Sequence, residues 1–420
     1  MNNHITYHSS IDLYDYFYNK TLLNALRNMD AFVGSGHDIH VFSEATLKKN
    51  NYPNGVLMQS LQDQTVLLPA LLRDPGCGFL VFMINDVCSQ QLPELAEVVL
   101  RFCQKLEKSI PTLPRDTLSN ALQYGVSHQP SKTVSHFAQK CFAMADTGLI
   151  EQLDPTLLAT DLHQITNSLE LKITSQTNTT ESSEVIGVLH SGSDYIPLAM
   201  QRYWFRTLVH HCVQDDLASI EDILDTSLYG IRDTSPIAPA YRQWVNAAMN
   251  FCLFKRGYIF NLLHQELTKH GYQTLHISDR CHAGLFETTI NNHRYWIQSR
   301  GVQVVDHQAL PYVIAGQRES RSYLANPQNT DLQPAFLGHG TSYRVDKRLN
   351  YPDLLGEQHS RACIQQLNRI HANTRLDVKN CLAYEYNIVM QQNYLKNLDV
   401  DVRSLLPYVN YQGRYLRGAK

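Results

Sequence analysis

Hydrophobic positions along the chain alternate between a helical and a strand period. Apolar residues recur at three- and four-residue spacing from Ile11 to Met29 and from Pro93 to Ile110 (Leu95, Val98, Val99, Phe102, Leu106). That spacing predicts two amphipathic helices, the second opened by a proline where a first helical turn tolerates one. A third, longer helix is expected from Ala238 to His270, ending at Gly271. GVLMQSL (55–61), TVLLPALL (65–72) and GFLVFMI (78–84) predict short buried strands, and the same texture returns in SEVIGVLHSG, TLHIS, RYWIQSRGVQVV and YVIAG. The polar, threonine-rich Thr174–Glu184 segment predicts an exposed loop or hairpin tip. No repeat is present. The order of elements implies an α+β class, with central β-sheets, surrounding helices and a helical insertion at about 90–160.

Composition narrows this little. With 420 residues, 43% hydrophobic and 18% charged, the chain can bury one large core or two to three smaller ones without covalent staples. A net charge of -3 leaves any nucleic-acid contact to a local patch. Nine cysteines without paired spacing, and an N-terminus (MNNHITYHSS) without the layout of a secretory signal, predict a reducing cytoplasm. No apolar run approaches the roughly 18 residues a membrane span needs, so no membrane partner is expected, and no protein partner is evident.

The chemistry concentrates where the strand pattern is interrupted. In VLLPALLRDPGCGFLV (66–81), Asp74 and Cys77 stand three residues apart between two apolar runs. A turn explains Pro75 and Gly76 and leaves Cys77 as a small buried hydrophobe. A metal site explains the same residues through a thiolate and a carboxylate on a backbone made pliable by glycine. Three of the 19 histidines are placed comparably. His190 ends an apolar strand before Ser191-Gly192-Ser193, and His282 follows another strand. His339 lies between two glycines, whose lack of bulk is expected to leave it open to a ligand. Rigid scaffolds put chemistry at such strand ends, although each histidine taken singly is equally a loop residue facing water.

The ordered set of these pieces resembles the RtcB family of RNA ligases. Gly36-His37-Asp38-Ile39-His40 stands for the family's proline-aspartate-valine-histidine, and Asp74-Pro75-Gly76-Cys77-Gly78 for its aspartate-x-glycine-cysteine-glycine. His190 to Ser193 matches histidine-serine-glycine-serine. Asp279 to His282, His339-Gly340 and Ala383-Tyr384 match later motifs, collinear from about residue 30 to 413. The resemblance implies a single RtcB-like catalytic domain over 1–420, with Cys77, His190, His282 and Asp74 as metal ligands. It implies Mn2+ as the metal and GTP as cofactor, bound through Asn167, Glu170, Ser322, Tyr384 and Arg318. His339 becomes the nucleophile that takes up a guanylyl group, and the partner is RNA with 3′-phosphate and 5′-hydroxyl ends.

The pattern departs from the family within the site. Thr166-Asn167-Ser168-Leu169-Glu170 puts Ser168 where the family has a ligand of a second metal, and Leu169 where it has a guanine-stacking aromatic. One ion is therefore expected, with the second site weak or lost. The phosphate loop reads Ala315-Gly316-Gln317-Arg318-Glu319, the guanine-reading lysine-glycine reads Gln412-Gly413, and Asp194 replaces an arginine. Three readings follow. The chain is a divergent ligase in which Arg318, Arg344, Lys347 and Arg348 replace lost phosphate contacts; it is a non-ligating, metal-containing RNA-binding or regulatory relative; or its metal activates water for hydrolysis.

Overall fold

Leu80, Phe82 and Ile84 point to one side of a strand and Phe79 and Val81 to the other, and this alternation divides the larger sheet into two faces. The computed structural model describes residues 4–8, 20–47, 52–125, 149–174, 183–305, 311–316, 320–327, 335–340, 350–370, 377–396 and 400–412. The first part of the chain forms β1 (Ile5–Tyr7), α1 (Lys20–Val33), β2 (His37–Leu47), β3 (Pro53–Leu61), β4 (Val66–Leu67) and β5 (Gly78–Val87). Helices α2 (Leu92–Leu106), α3 (Arg115–Tyr124), α4 (Leu149–Gln152) and α5 (Pro155–Leu162) follow, with 126–148 of the expected helical insertion outside the described residues. Next come β6 (Ser168–Thr174), β7 (Ser183–Ser191), α6 (Tyr195–Gln214), α7 (Ile220–Thr226), β8 (Ile231–Arg232) and α8 (Ala238–Lys269). The remainder is β9 (Gln273–Cys281), β10 (Ala283–Ile290), β11 (His293–Arg300), β12 (Val302–Val305), β13 (Tyr312–Ile314), β14 (Ser322–Pro327), β15 (Ala335–Gly338), α9 (Tyr351–Leu355), α10 (Glu357–Ile370), α11 (Val378–Lys396) and β16 (Val400–Gln412).

The larger sheet has the order β13-β14-β16-β6-β7-β5-β9, with every neighbouring pair antiparallel. A second sheet runs β1-β2-β3-β11-β10, with β1 parallel to β2. Leu80, Phe82, Leu169, Leu171 and Leu189 pack one face of the larger sheet against α2 and the C-terminal half of α8. Phe79, Val81, Ile186 and Val188 on the other face meet Val313, Leu324 and Leu405. The N-terminal half of α8 belongs to a separate core with α3, α5 and α6. A helix shared by two cores is buried nearly all round, and α8 is buried at every position from Ala247 to Gly257, with Asn250, Lys255 and Arg256 as the polar exceptions. The fold is thus mixed α+β with several sheets. No described helix is long and apolar enough to cross a membrane.

Two sequence expectations changed. Of 65–72 only Val66–Leu67 is strand, because Pro69 has no N–H to give a ladder and the chain turns there. The first helix is described from Lys20 to Val33, with Ile11 to Asn19 outside the described residues. The same holds for 175–182 of the expected hairpin tip.

Candidate metal centre

Three neighbouring strands bring the chemistry together. Gly78, which opens β5, pairs with Ser191 at the end of β7 and with Cys281 at the end of β9. Cys77, His190 and His282 therefore emerge at one end of the sheet. The His282 backbone N–H donates to the Cys77 carbonyl at 2.9 Å. The turn before Cys77 is closed by its own N–H donating to the Asp74 carbonyl at 3.2 Å. Gly76 has φ +89, and a Cβ there would stand 2.8 Å from the Met249 Cα, so α8 packs where only glycine fits. The segment is a turn that also carries a candidate ligand.

One ligand atom from each of Cys77, His190 and His282 lies within 4.8 Å of the others, a group that can hold a metal ion. The Cys77 Sγ is 3.5 Å from His190 Nε2, and Asn167 Nδ2 donates to the same sulfur at 3.3 Å. Burial, with the Asp74 charge adding to it, pushes the Cys77 thiol up to about 12, against an opposing pull from Arg256. A cation is what converts such a thiol to thiolate. One sulfur and two imidazoles leave coordination open, as catalytic rather than structural sites do. Phe79, buried beneath the group, has its ring centroid 4.5 Å from His190, 4.8 Å from His282 and 6.3 Å from His339.

The supports were not legible in the sequence. Arg256 of α8 is fully buried, and its guanidinium donates to Asp279 Oδ1 at 2.7 Å, the Gly76 carbonyl at 2.6 Å and the Ser191 carbonyl at 2.8 Å. It also reaches Cys281 Sγ at 3.4 Å. One side chain thus ties the three segments that carry Cys77, His190 and His282. Burial raises Asp279 to about 6 against the downward pull of Arg256, and the 2.7 Å contact makes the two a buried ion pair.

His339 differs from expectation. It is buried, at 4% exposure, with its ring centroid 4.6 Å from that of His282. Its Nδ1 is 3.6 Å from Oε1 of Glu44, a fully buried carboxylate on β2. The flanking glycines make room for protein rather than for a ligand. A Cβ on Gly338 would lie 2.2 Å from the Glu44 carboxylate, and one on Gly340, at φ +90, 2.3 Å from the Ala315 carbonyl. The β2 register shifts between Val41 and Thr46, so strand alternation did not single out Glu44 in the sequence.

A cavity of about 250 Å³ opens over the group, lined by Asn54, Asp74, Asn167, Asp194, Arg300 and His339 together with the three ligand candidates. Of the predicted residues, Asp74, Cys77, Asn167, His190, His282 and His339 thus come together. Asp74 stands apart from the three ligands, its carboxylate paired with Arg300 at 3.0 Å. Glu170, Ser322 and Tyr384 are buried but do not line the cavity. Glu170 accepts from Ser168 at 2.8 Å and pairs with Lys172, while Ser322 accepts from the Gly316 N–H at 2.8 Å. Leu169 points into the helix-side core. Gln412 pairs in register with Ser168 at the end of β16. Arg318, Arg344, Lys347, Arg348 and Gly413 lie outside the described residues.

Fold and site define a mixed α+β protein with a candidate cysteine-histidine-histidine metal centre at the end of an antiparallel sheet. No family model and no curated protein matches the chain.

Proposed function

We propose that the protein is an RtcB-like, GTP- and manganese-dependent RNA ligase that joins RNA 3′-phosphate and 5′-hydroxyl ends through guanylylated His339. The observation that carries this reading is the 4.6 Å approach of the His339 ring to His282 beside two further metal-ligand candidates. The resemblance supplies manganese and GTP. A divalent ion held by Cys77, His190 and His282 would supply charge neutralisation for phosphates in the cavity. With Nδ1 facing Glu44, the other ring nitrogen of His339 is turned away as the attacking atom. It forms a bond to the α-phosphorus of GTP as the bond to the bridging oxygen breaks and pyrophosphate leaves. A 3′-phosphate oxygen of RNA then displaces the histidine, and the 5′-hydroxyl displaces GMP with loss of its proton. Arg300 and Asn167 stand at the cavity wall to contact phosphate oxygens.

A specific observation favours a second reading, a non-ligating metal protein of the same descent. Glu170, Ser322 and Tyr384, which the resemblance assigns to the nucleotide, do not line the cavity, and Ser168 donates its hydroxyl to Glu170. The deciding experiment incubates the protein with manganese and GTP labelled at the α-phosphate. Acid-labile label on the parent, absent from His339→Ala at unchanged metal content, supports the ligase. Metal-loaded parent protein that takes up no label supports the second reading.

A further inference from the structure

We infer that the solvent face of α6 is a docking track for a single strand of RNA that leads from the metal cavity. Gly192, Ser193 and Asp194, just ahead of α6, line the cavity. This start is fixed from below: Ser193 donates to the fully buried Asp161, which Lys255 holds at 2.9 Å, and the Ser193 hydroxyl accepts from the Ile196 N–H at 3.0 Å. The helix contains no acidic residue over its 20 positions, about 30 Å at 1.5 Å per residue. Carboxylates stand only at its ends, at Asp194, Asp215 and Asp216.

Its exposed residues are ordered around the axis. At about 100° per residue, Phe205, Arg202, Arg206, His210 and Tyr203 succeed one another across roughly 160° of helix surface. A cationic stripe is thus bordered by one aromatic ring on each side. Tyr203 is 52% and Phe205 45% exposed, which is unusual for such large rings. Both are held in place: Tyr203 stacks on Trp244 at 4.8 Å and 18°, leaving its opposite face to solvent, and Phe205 stands edge-on to Tyr229 at 5.4 Å. Arg202 and Arg206 are exposed and make no ion pair among the described residues.

Rings fixed in advance and open on one face are platforms for unpaired bases, and arginines between them match a phosphate backbone. A membrane would want one continuous apolar face, and an acidic protein would have no use for two stacking platforms. A duplex hides the base faces that the rings would meet. The track rests on the proposed function only in the choice of RNA as the strand.

The test is fluorescence anisotropy with a labelled oligouridylate of about twelve nucleotides, in chelator and without GTP, so that neither the metal centre nor guanylylation enters. The parent binds. The Arg202→Ala/Arg206→Ala variant binds more weakly, and its slope of log K against log salt falls by about 1.4, at about 0.7 per phosphate contact. Tyr203→Ala and Phe205→Ala each weaken binding about tenfold with the slope unchanged, and Tyr203→Phe, which keeps the stack on Trp244, restores it. Failure of the parent to bind, variants that bind as the parent does, or tighter binding of duplex RNA overturns the track. Label on His339 in variants that no longer bind the oligonucleotide upholds the track and the ligase separately.

Discussion

A single guanidinium reaches the segments that carry all three candidate ligands, so Arg256 is the residue on which the centre's geometry depends. Arg256→Met leaves the Asp279 carboxylate buried without its partner, and removing one member of a buried pair costs about 3–5 kcal/mol. Denaturant titration reads that loss. The double variant Arg256→Met/Asp279→Leu recovers much of the stability but not the metal affinity, because two carbonyls that ordered the ligand turns stay unsatisfied; recovery of both would mean that Arg256 merely packs. His339 belongs at this scale too. Buried against Glu44 and Phe79, its ring contributes packing, so His339→Ala lowers stability by about 1–3 kcal/mol while metal content persists. A thermal melt with elemental analysis of the same sample checks both. Neither dependence could be read from the sequence, since Arg256 and Glu44 lie far along the chain from the residues they serve, and distance in space is what strand patterns do not encode.

Among the elements, those with one clean period were legible. β5, β7 and α8 fall where apolar runs and a terminal glycine place them, because each buries a face wide enough to dominate its composition; β9 falls at its short apolar run although its buried residues are Ser278, Asp279 and Arg280. α6 was not foreseen, since Tyr203 and Phe205 face solvent and blur its period. β6 shows a different limit. Its residues are buried on both faces, so Ser168, Glu170 and Lys172 satisfy one another where alternation alone would suggest a wet or ligand-binding side. At the second sheet, β1 is joined to β2 by a hydrogen bond of 2.8 Å between His8 Nε2 and His40 Nδ1, with His8 also stacked on Phe42. Burial lowers both rings to about 4. The folded state keeps them neutral while the unfolded chain takes up protons near 6.5, so this contribution is complete above about pH 6.5 and is lost as the pH falls toward 4. Melting temperature followed from pH 7 to 4 falls more steeply for the parent than for His40→Asn; equal slopes would disprove the role of the pair.

For the molecule as a whole, α8 is the axis on which two cores meet, and the candidate metal centre sits beside the buried Lys255 and Arg256 at that meeting. Ligands drawn from three strands exist together only in the folded chain, so an ion that binds them stabilises the entire structure by linkage. With the Cys77 thiol at about 12 before an ion arrives, binding near neutral pH expels its proton, and affinity rises by up to about tenfold per pH unit. Calorimetry in buffers of different ionisation enthalpy should count about one proton released. The melting temperature should climb with added metal in the parent and stay fixed in Cys77→Ala. A metal-induced shift that survives in that variant would relocate the site.

Phe79 gives the centre an internal witness. Its ring lies under His190, His282 and His339 at 4.5 to 6.3 Å, close enough for each imidazole to alter the magnetic environment of its aromatic protons. Because the ring touches the histidines without being bonded to them, it reports their tilt while taking no part in coordination or attack. A diamagnetic ion that draws two imidazoles toward the Cys77 sulfur would move the Phe79 resonances, and modification of His339 would move them differently, so occupancy and chemistry at the centre can be told apart in one spectrum.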